Sequence, residues 1–362
     1  MMVDRGPVTP RRTRDLALDL LRGYFLVIII IDHLRYATNP LYVLSGRKSL
    51  WVTAAEGFVL ISGFLVGMLR GDQARREGLA AASRHLLRRA AVLALWCALL
   101  TVAFRAISEA TGYWPQVPNA DVHGSFTGDV LGALVLRFTY GDHNLLAAYA
   151  LYLAASPLVL AALLRGYTWS VLAASLFVWG LAIRFHLTWS NSVQADLCWQ
   201  LLFMTGVVAG FHHAALTRRW HALTPRARKT VHALAAAAAV AIIAGSLVRL
   251  PVGGVYPTRL EGYVFEHDLL GPGRFACAVV LIGSLYALVG AFEARLVPTI
   301  GKVLVPLGQA SLYVYIVQSM ATFVLVDTTM ASPYLAAAIT LALVGGVWLL
   351  VTRRVLFGII PR

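Results

Sequence analysis

Ten long apolar runs, separated by short polar stretches, constrain this chain more than any other feature. They cover Leu16–Leu34, Leu50–Leu69, Leu86–Ile107, Leu145–Leu164, Ser170–Leu187, Val193–Phe211, Val231–Leu250, Phe275–Phe292, Val303–Val326 and Tyr334–Val351. About 20 apolar residues cross the roughly 30 Å hydrocarbon core of a bilayer as a helix. Inside lipid only helices and closed barrels satisfy their own backbone hydrogen bonds. The pattern therefore predicts an all-α polytopic membrane protein of about ten spans. Composition agrees, with 59% hydrophobic and only 13% charged residues in 362, against about 25% charged in a soluble domain. A soluble enzyme and a disordered chain are excluded.

The net charge is +14, which would suit a nucleic-acid partner if the cations formed one patch. Instead they fall in alternate loops. Arg5, Arg11, Arg12 and Arg14 precede the first run, and Arg70, Arg75, Arg76, Arg84, Arg88 and Arg89 follow the second. Arg218, Arg219, Arg226, Arg228 and Lys229 follow the sixth, Arg295 and Lys302 the eighth, and Arg353, Arg354 and Arg362 the tenth. Alternate loops share one side, and Lys and Arg mark the cytoplasmic side. Both termini are expected there, with membrane lipid and not nucleic acid as the charge partner, in a multi-pass protein of the inner (plasma) membrane. The stretches Ser108–Asn144 and Pro251–Arg274 carry Glu109, Asp121, Asp129, Asp142, Glu261, Glu266 and Asp268, and read as exterior loops.

This organisation predicts a basic cytoplasmic segment over 1–15, one membrane domain over 16–353 and a short cytoplasmic tail over 354–362. No small-residue cleavage site follows Tyr24–Ile31, so the first run reads as a retained span and not a signal peptide. Cys97, Cys198 and Cys277 each lie in an apolar run. They read as small buried residues, with no disulfide and no metal site expected.

Ionisable residues inside spans are costly and mark function. The first run holds Asp19, Arg22, Asp32 and His33, and the second holds Glu56. Arg22 and His33 are eleven residues apart, which places them about 20° apart around a helix and about 16 Å apart along it. An elongated ligand entering from the cytoplasm would meet Arg22 with a phosphate and reach His33 with its other end. His33 has the chemistry of a general base, with Asp32 or Glu56 as a neighbouring carboxylate. The spacing equally admits Asp32 and His33 as helix-end residues bonded to an exterior loop, and Asp19 with Arg22 as an i, i+3 ion pair. Glu56 has no cation near it in sequence, so its partner is expected on another helix, the first being the obvious neighbour. Arg105 and Arg184 read as residues reaching to the interface. Arg84, Arg88 and Arg89 are either a topology signal or a phosphate site. Trp199 and Gln200 open the sixth run; Ser311, Tyr315, Gln318 and Ser319 share one face of the ninth, fit to line a polar cavity.

Together LDLLRG (Leu18–Gly23), Asp32-His33 and AAEGFVLISGFLVG (Ala54–Gly67) resemble the opening of the OpgC family of membrane acyltransferases, which succinylate periplasmic glucans. WQLLFMTG (Trp199–Gly206) and LGQASLYVYIVQ (Leu307–Gln318) are similar to later motifs of that family, and the resemblance covers about 15–353. In related acyltransferases His is frequent where Gln318 stands here. The resemblance implies an acyl-CoA co-substrate, succinyl-CoA or acetyl-CoA, and no permanently bound cofactor. It places the CoA phosphates near Arg22, Arg84, Arg88 and Arg89. A glycan hydroxyl, from an extracytoplasmic polysaccharide or glycolipid, would attack the thioester at His33. Trp199, Gln200, Ser311, Tyr315 and Gln318 are candidates for contacts to substrate or transition state. A transporter or flippase is the rival reading, against which stand the absence of an internal repeat and the concentration of buried charge in the first two runs.

Overall fold

The computed structural model describes residues 15–36, 39–46, 50–117, 124–185, 193–248, 258–327 and 332–361. Arg5, Arg11, Arg12 and Arg14, the loop residue Asp121, and Arg362 lie outside the described residues. Helices follow in the order α1 (Leu16–His33), α2 (Tyr42–Ser45), α3 (Ala54–Glu77), α4 (Leu79–Thr111), α5 (Phe126–Leu134), α6 (Asn144–Leu164), α7 (Thr168–Phe185) and α8 (Val193–Phe211). Then come α9 (His213–Ala222), α10 (Pro225–Val248), α11 (Arg259–Val264), α12 (Pro272–Leu296), α13 (Gly301–Gln309), α14 (Ser311–Leu325) and α15 (Pro333–Thr352).

Over its described residues each apolar run is mainly helical. Among the described residues seven helices (α3, α4, α6, α7, α10, α12 and α15) are long and apolar enough to cross a membrane, and eight if α13 and α14 count together as one broken span. α1 carries Asp19, Arg22 and Asp32 within its 18 residues, and the apolar part of α8 is the shorter Asp196–Phe211. The ninth run is not one straight helix as expected. It breaks at Ala310 into α13 and α14, bent by 93°. Pro306 lies in the last turn of α13, where its missing N–H weakens the helix.

Lipid tails are as apolar as leucine, so helices in a bilayer adhere by close packing, which small residues permit. Two helix pairs use this. In α3 and α8 the glycines are reciprocal: a Cβ at Gly63 or Gly67 would stand about 2 Å from the carbonyl oxygens of Phe203 and Val207, and one at Gly206 or Gly210 as close to those of Leu60 and Phe64. In α1 and α13 a Cβ at Gly23 would stand 1.9 Å from the Leu304 oxygen, and one at Gly308 1.9 Å from that of Asp19. Side chains reinforce this second contact. Gln309 Nε2 donates to Asp19 Oδ2 at 3.0 Å, and Arg22 donates to Ser311 Oγ.

The stretch after α4 is tied to that helix by buried charge. Arg105 does not reach to an interface as expected. It is 4% exposed and paired with Asp129 and Glu109 at 2.8 and 2.6 Å, so its cost in lipid is met by two carboxylates. Arg184 is exposed, over the Phe185 ring. Cys97 and Cys198 are buried and Cys277 half-buried, all as free thiols.

Candidate active site

α1 runs past two cavities, and its two polar ends open into different ones. Arg22 lines the first, of about 490 Å³, together with Arg70, His85, Arg88, Arg89 and Ser311. The rest of its wall is mainly apolar, from residues such as Phe58, Leu65, Val66, Leu86 and Leu93. His33 lines the second, of about 610 Å³, with Asp32, Arg35, Asp142, Asp196, Trp199, His267 and Asp268. Leu145 and Tyr315 line both. The Tyr315 hydroxyl donates to the Asp142 carbonyl at 2.9 Å, which fixes the ring between the chambers.

The first chamber is cationic because α1, α3 and α4 each bring arginine to it. Arg88 and Arg89 lie in it, whereas Arg84 is exposed and not among its lining residues. The helix break supplies the rest: it lets α14 begin at Ser311, whose hydroxyl accepts from Arg22. A guanidinium cluster beside a helix start suits phosphate, and the apolar wall suits an uncharged arm attached to it. Arg70 and His85 were missed by the sequence reading; they lie in the basic stretch made by the end of α3 and the start of α4, where nothing in the spacing separates a ligand from a topology signal.

In the second chamber His33 meets Gln318, whose amide Nε2 stands 3.3 Å from the ring Nδ1. Gln318 is fully buried, and its Oε1 has no partner. An amide offers a donor edge and an acceptor edge. As placed, the Nε2 edge donates to Nδ1; turning the amide over, so that Oε1 faces the ring, is what holds Nδ1–H and leaves the ring Nε2 lone pair for chemistry. Just beyond His33 the backbone enters the left-handed region at Arg35, with φ 53. That turn aims the Arg35 guanidinium at Asp142 Oδ1, 2.8 Å away, and at the Gln116 carbonyl, 2.7 Å away. Strained backbone of this kind persists where surrounding contacts fix it. Trp199 donates from its indole N–H to the His267 carbonyl at 3.2 Å.

Two expectations move. Glu56 takes its partner from α12 and not from the first helix: Arg274 Nε donates to Glu56 Oε1, and both residues are buried. Its other oxygen accepts from the Thr53 hydroxyl and from the Thr53 backbone N–H at 2.9 Å, closing a capping box at the start of α3. Glu56 is thus spent on tying α3 to α12, and it does not line the His33 chamber. Gln200 is spent too. Its amide accepts from Ser175 Oγ and donates to the Ser175 carbonyl, each at 2.7 Å, clamping α8 to α7. Asp142 and Asp196 line the His33 chamber and were not singled out. Asp196 lies inside the sixth apolar run, so the rule that picked out Asp32 and Glu56 applied to it equally.

The sequence matches the OpgC protein family over residues 14–357. The chain belongs to the OpgC family. No curated protein and no solved structure matches it. Membership in OpgC, with the apolar helices, makes this a membrane protein of acyltransferase type. The segments that carry the resemblance have a physical content here. In LDLLRG, Asp19 bonds Gln309, Arg22 bonds Ser311, and Gly23 admits the α13 backbone. In WQLLFMTG, Gly206 admits the α3 backbone.

Proposed function

We propose that this protein is an inner-membrane O-acyltransferase that moves an acyl group, succinyl or acetyl, from cytoplasmic acyl-CoA to a hydroxyl of an extracytoplasmic glycan. The observation that carries this reading is that Arg22 and His33, on one helix, open into separate chambers that meet at Tyr315. By the charge bias of the loops the arginine chamber faces the cytoplasm. The CoA phosphates sit among Arg22, Arg70, Arg88 and Arg89, and the thioester reaches past Tyr315 toward His33.

The acceptor hydroxyl enters from the exterior side. His33 Nε2 takes its proton as the oxygen attacks the thioester carbonyl carbon. The tetrahedral intermediate collapses with cleavage of the C–S bond, and the proton passes from His33 to the departing sulfur. An ester and free CoA result. Gln318 holds the ring through Nδ1, while Glu56 and Arg274 hold the start of α3 beside it. Positioning two substrates in one site is worth several orders of magnitude.

The protein in lipid nanodiscs, given succinyl-CoA or acetyl-CoA and a neutral gluco-oligosaccharide, is expected to release free CoA and form an oligosaccharide ester. His33→Ala is expected to lower kcat by about 10²- to 10⁴-fold, the range of general-base help, with CoA affinity kept. Movement of oligosaccharide without CoA release would favour a transporter. His33→Ala turnover within twofold of the parent would overturn the reading.

A further inference from the structure

A third cavity, of about 730 Å³, lies between α6, α7 and α8. It is a groove on the outside of the bundle: Leu151, Leu158 and Val178, which line it, are exposed. In a protein whose helices cross a membrane, such a face meets lipid. Along α6 the groove runs from Leu151 to Ala162, about 16 Å at 1.5 Å per residue. That is close to one leaflet, half of the roughly 30 Å hydrocarbon core. Its polar groups are largely spent. Gln200 and Ser175 satisfy each other, and the Tyr152 hydroxyl donates to the Asp196 backbone carbonyl. The exception is the Asp196 carboxylate. Asp196 is 9% exposed and lies in the first turn of α8, at the end of that helix remote from the basic α9. Its carboxylate meets no donor and no cation among the described residues, and every other residue lining the groove is uncharged. A buried polar group without a partner costs about 1–3 kcal/mol, more when charged, and a carboxylate within a membrane span marks function.

We propose that this groove is a specific lipid site, which takes one hydrocarbon chain of a phospholipid whose head group carries a primary ammonium. The length and apolarity of the groove fit the chain. The unpaired carboxylate at its end fits the ammonium, through a charge-assisted hydrogen bond about twice as strong as a neutral one. Tyr152 and Asp196 also line the His33 chamber, so the lipid head stands in the wall between that chamber and the bilayer. The site is separate from the cationic chamber and does not depend on the acyl-transfer reading.

Lipid binding is measured by native mass spectrometry on the full-length protein in a non-ionic detergent, with phosphatidylethanolamine, phosphatidylcholine and phosphatidylglycerol of identical chains as probes. The second has charge but no N–H, and the third has hydroxyls but no cation. Phosphatidylethanolamine is expected to bind about ten- to a hundredfold more tightly than either, the worth of a hydrogen bond to a charged group. Asp196→Asn keeps the shape and removes the charge; it is expected to bring the three lipids within twofold of one another. Ala155 lines the groove and is exposed, so Ala155→Trp fills the groove without entering the packed interior. It is expected to weaken phosphatidylethanolamine about tenfold, and it keeps the test open should Asp196→Asn fail to fold. Equal binding of the three lipids by the parent protein, an unchanged preference in Asp196→Asn, or unchanged binding in Ala155→Trp would each overturn the site. A His33→Ala variant that still turns over would end the acyl-transfer reading and leave this one standing.

Discussion

The two chambers along α1 are opposites in charge and alike in construction. Arg22, Arg70, Arg88 and Arg89 make one strongly cationic; Asp32, Asp142, Asp196 and Asp268 make the other mainly acidic. Both are walled by α1, α3, α6 and α14, and one tyrosine ring stands between them. On the proposed reading the difference lets charge sort the two substrates between the chambers. On the same reading the phosphates of the donor are held by the cationic chamber, and an uncharged acceptor finds no charge complement there. On that reading a thioester long enough to cross the partition is the species that reaches into both.

The sharpest way to break that comparison is to remove one charged landmark from each chamber. His33→Ala removes the exterior one and, as set out above, is expected to act on kcat by about 10²- to 10⁴-fold. Arg22→Ala removes the cytoplasmic one. It is expected to raise KM for acyl-CoA by about ten- to a hundredfold, as for a lost hydrogen bond to a charged group, with KM for the sugar unchanged. Arg22→Lys keeps the charge but not the planar fork that meets Ser311 and a phosphate together, so it recovers only part of the loss. Initial rates with each substrate varied in turn separate these effects. Should Arg22→Ala lower kcat alone, the guanidinium stabilises the reacting centre and does not anchor the donor.

Much of this was legible in the residues. Apolar runs and arginine loops gave the helices, because lipid imposes both rules without reference to tertiary contacts. The placement of Arg22 and His33 along one helix also followed, since helical rise and twist are fixed. What did not follow depends on partners distant in sequence. Glu56 finds Arg274, 218 residues away, and no local pattern announces such a pair. Gln200 looked free to contact substrate until α7 supplied Ser175. The break at Ala310 was hidden because α13 and α14 are both apolar, and hydropathy does not register a bend. Asp196 was a different kind of miss: its position in an apolar run was visible, but its lack of a partner is a property of the packed structure.

A finer comparison is between the two sides of the His33 ring. Gln318→Leu keeps the volume near Nδ1 and removes both amide edges, and Gln318→Glu keeps an oxygen that accepts from Nδ1–H. The first is expected to lower kcat about tenfold, the worth of a neutral hydrogen bond, with both KM values unchanged; the second is expected to restore most of the rate. A purely structural role would show instead as loss of folded protein in both. If Gln318→Leu turns over at the parent rate, the ring is oriented by its exterior neighbours and not through Nδ1.

The smallest effect is expected at the partition itself. Tyr315→Phe keeps the ring and removes only the hydrogen bond to the Asp142 carbonyl, so the wall between the chambers loosens without disappearing. Transfer to sugar is expected to fall about threefold, within the range of one neutral hydrogen bond. Tyr315→Ala removes the ring and joins the chambers, so water reaches a bound thioester whether or not a sugar is present. The reading that follows from the two-chamber arrangement is a ratio: CoA released per ester formed stays near one in Tyr315→Phe and rises severalfold in Tyr315→Ala. A ratio near one in both variants would mean that the separation of water from thioester is made elsewhere, by the exterior loop residues Arg35, Asp142 and His267 closing over the acceptor.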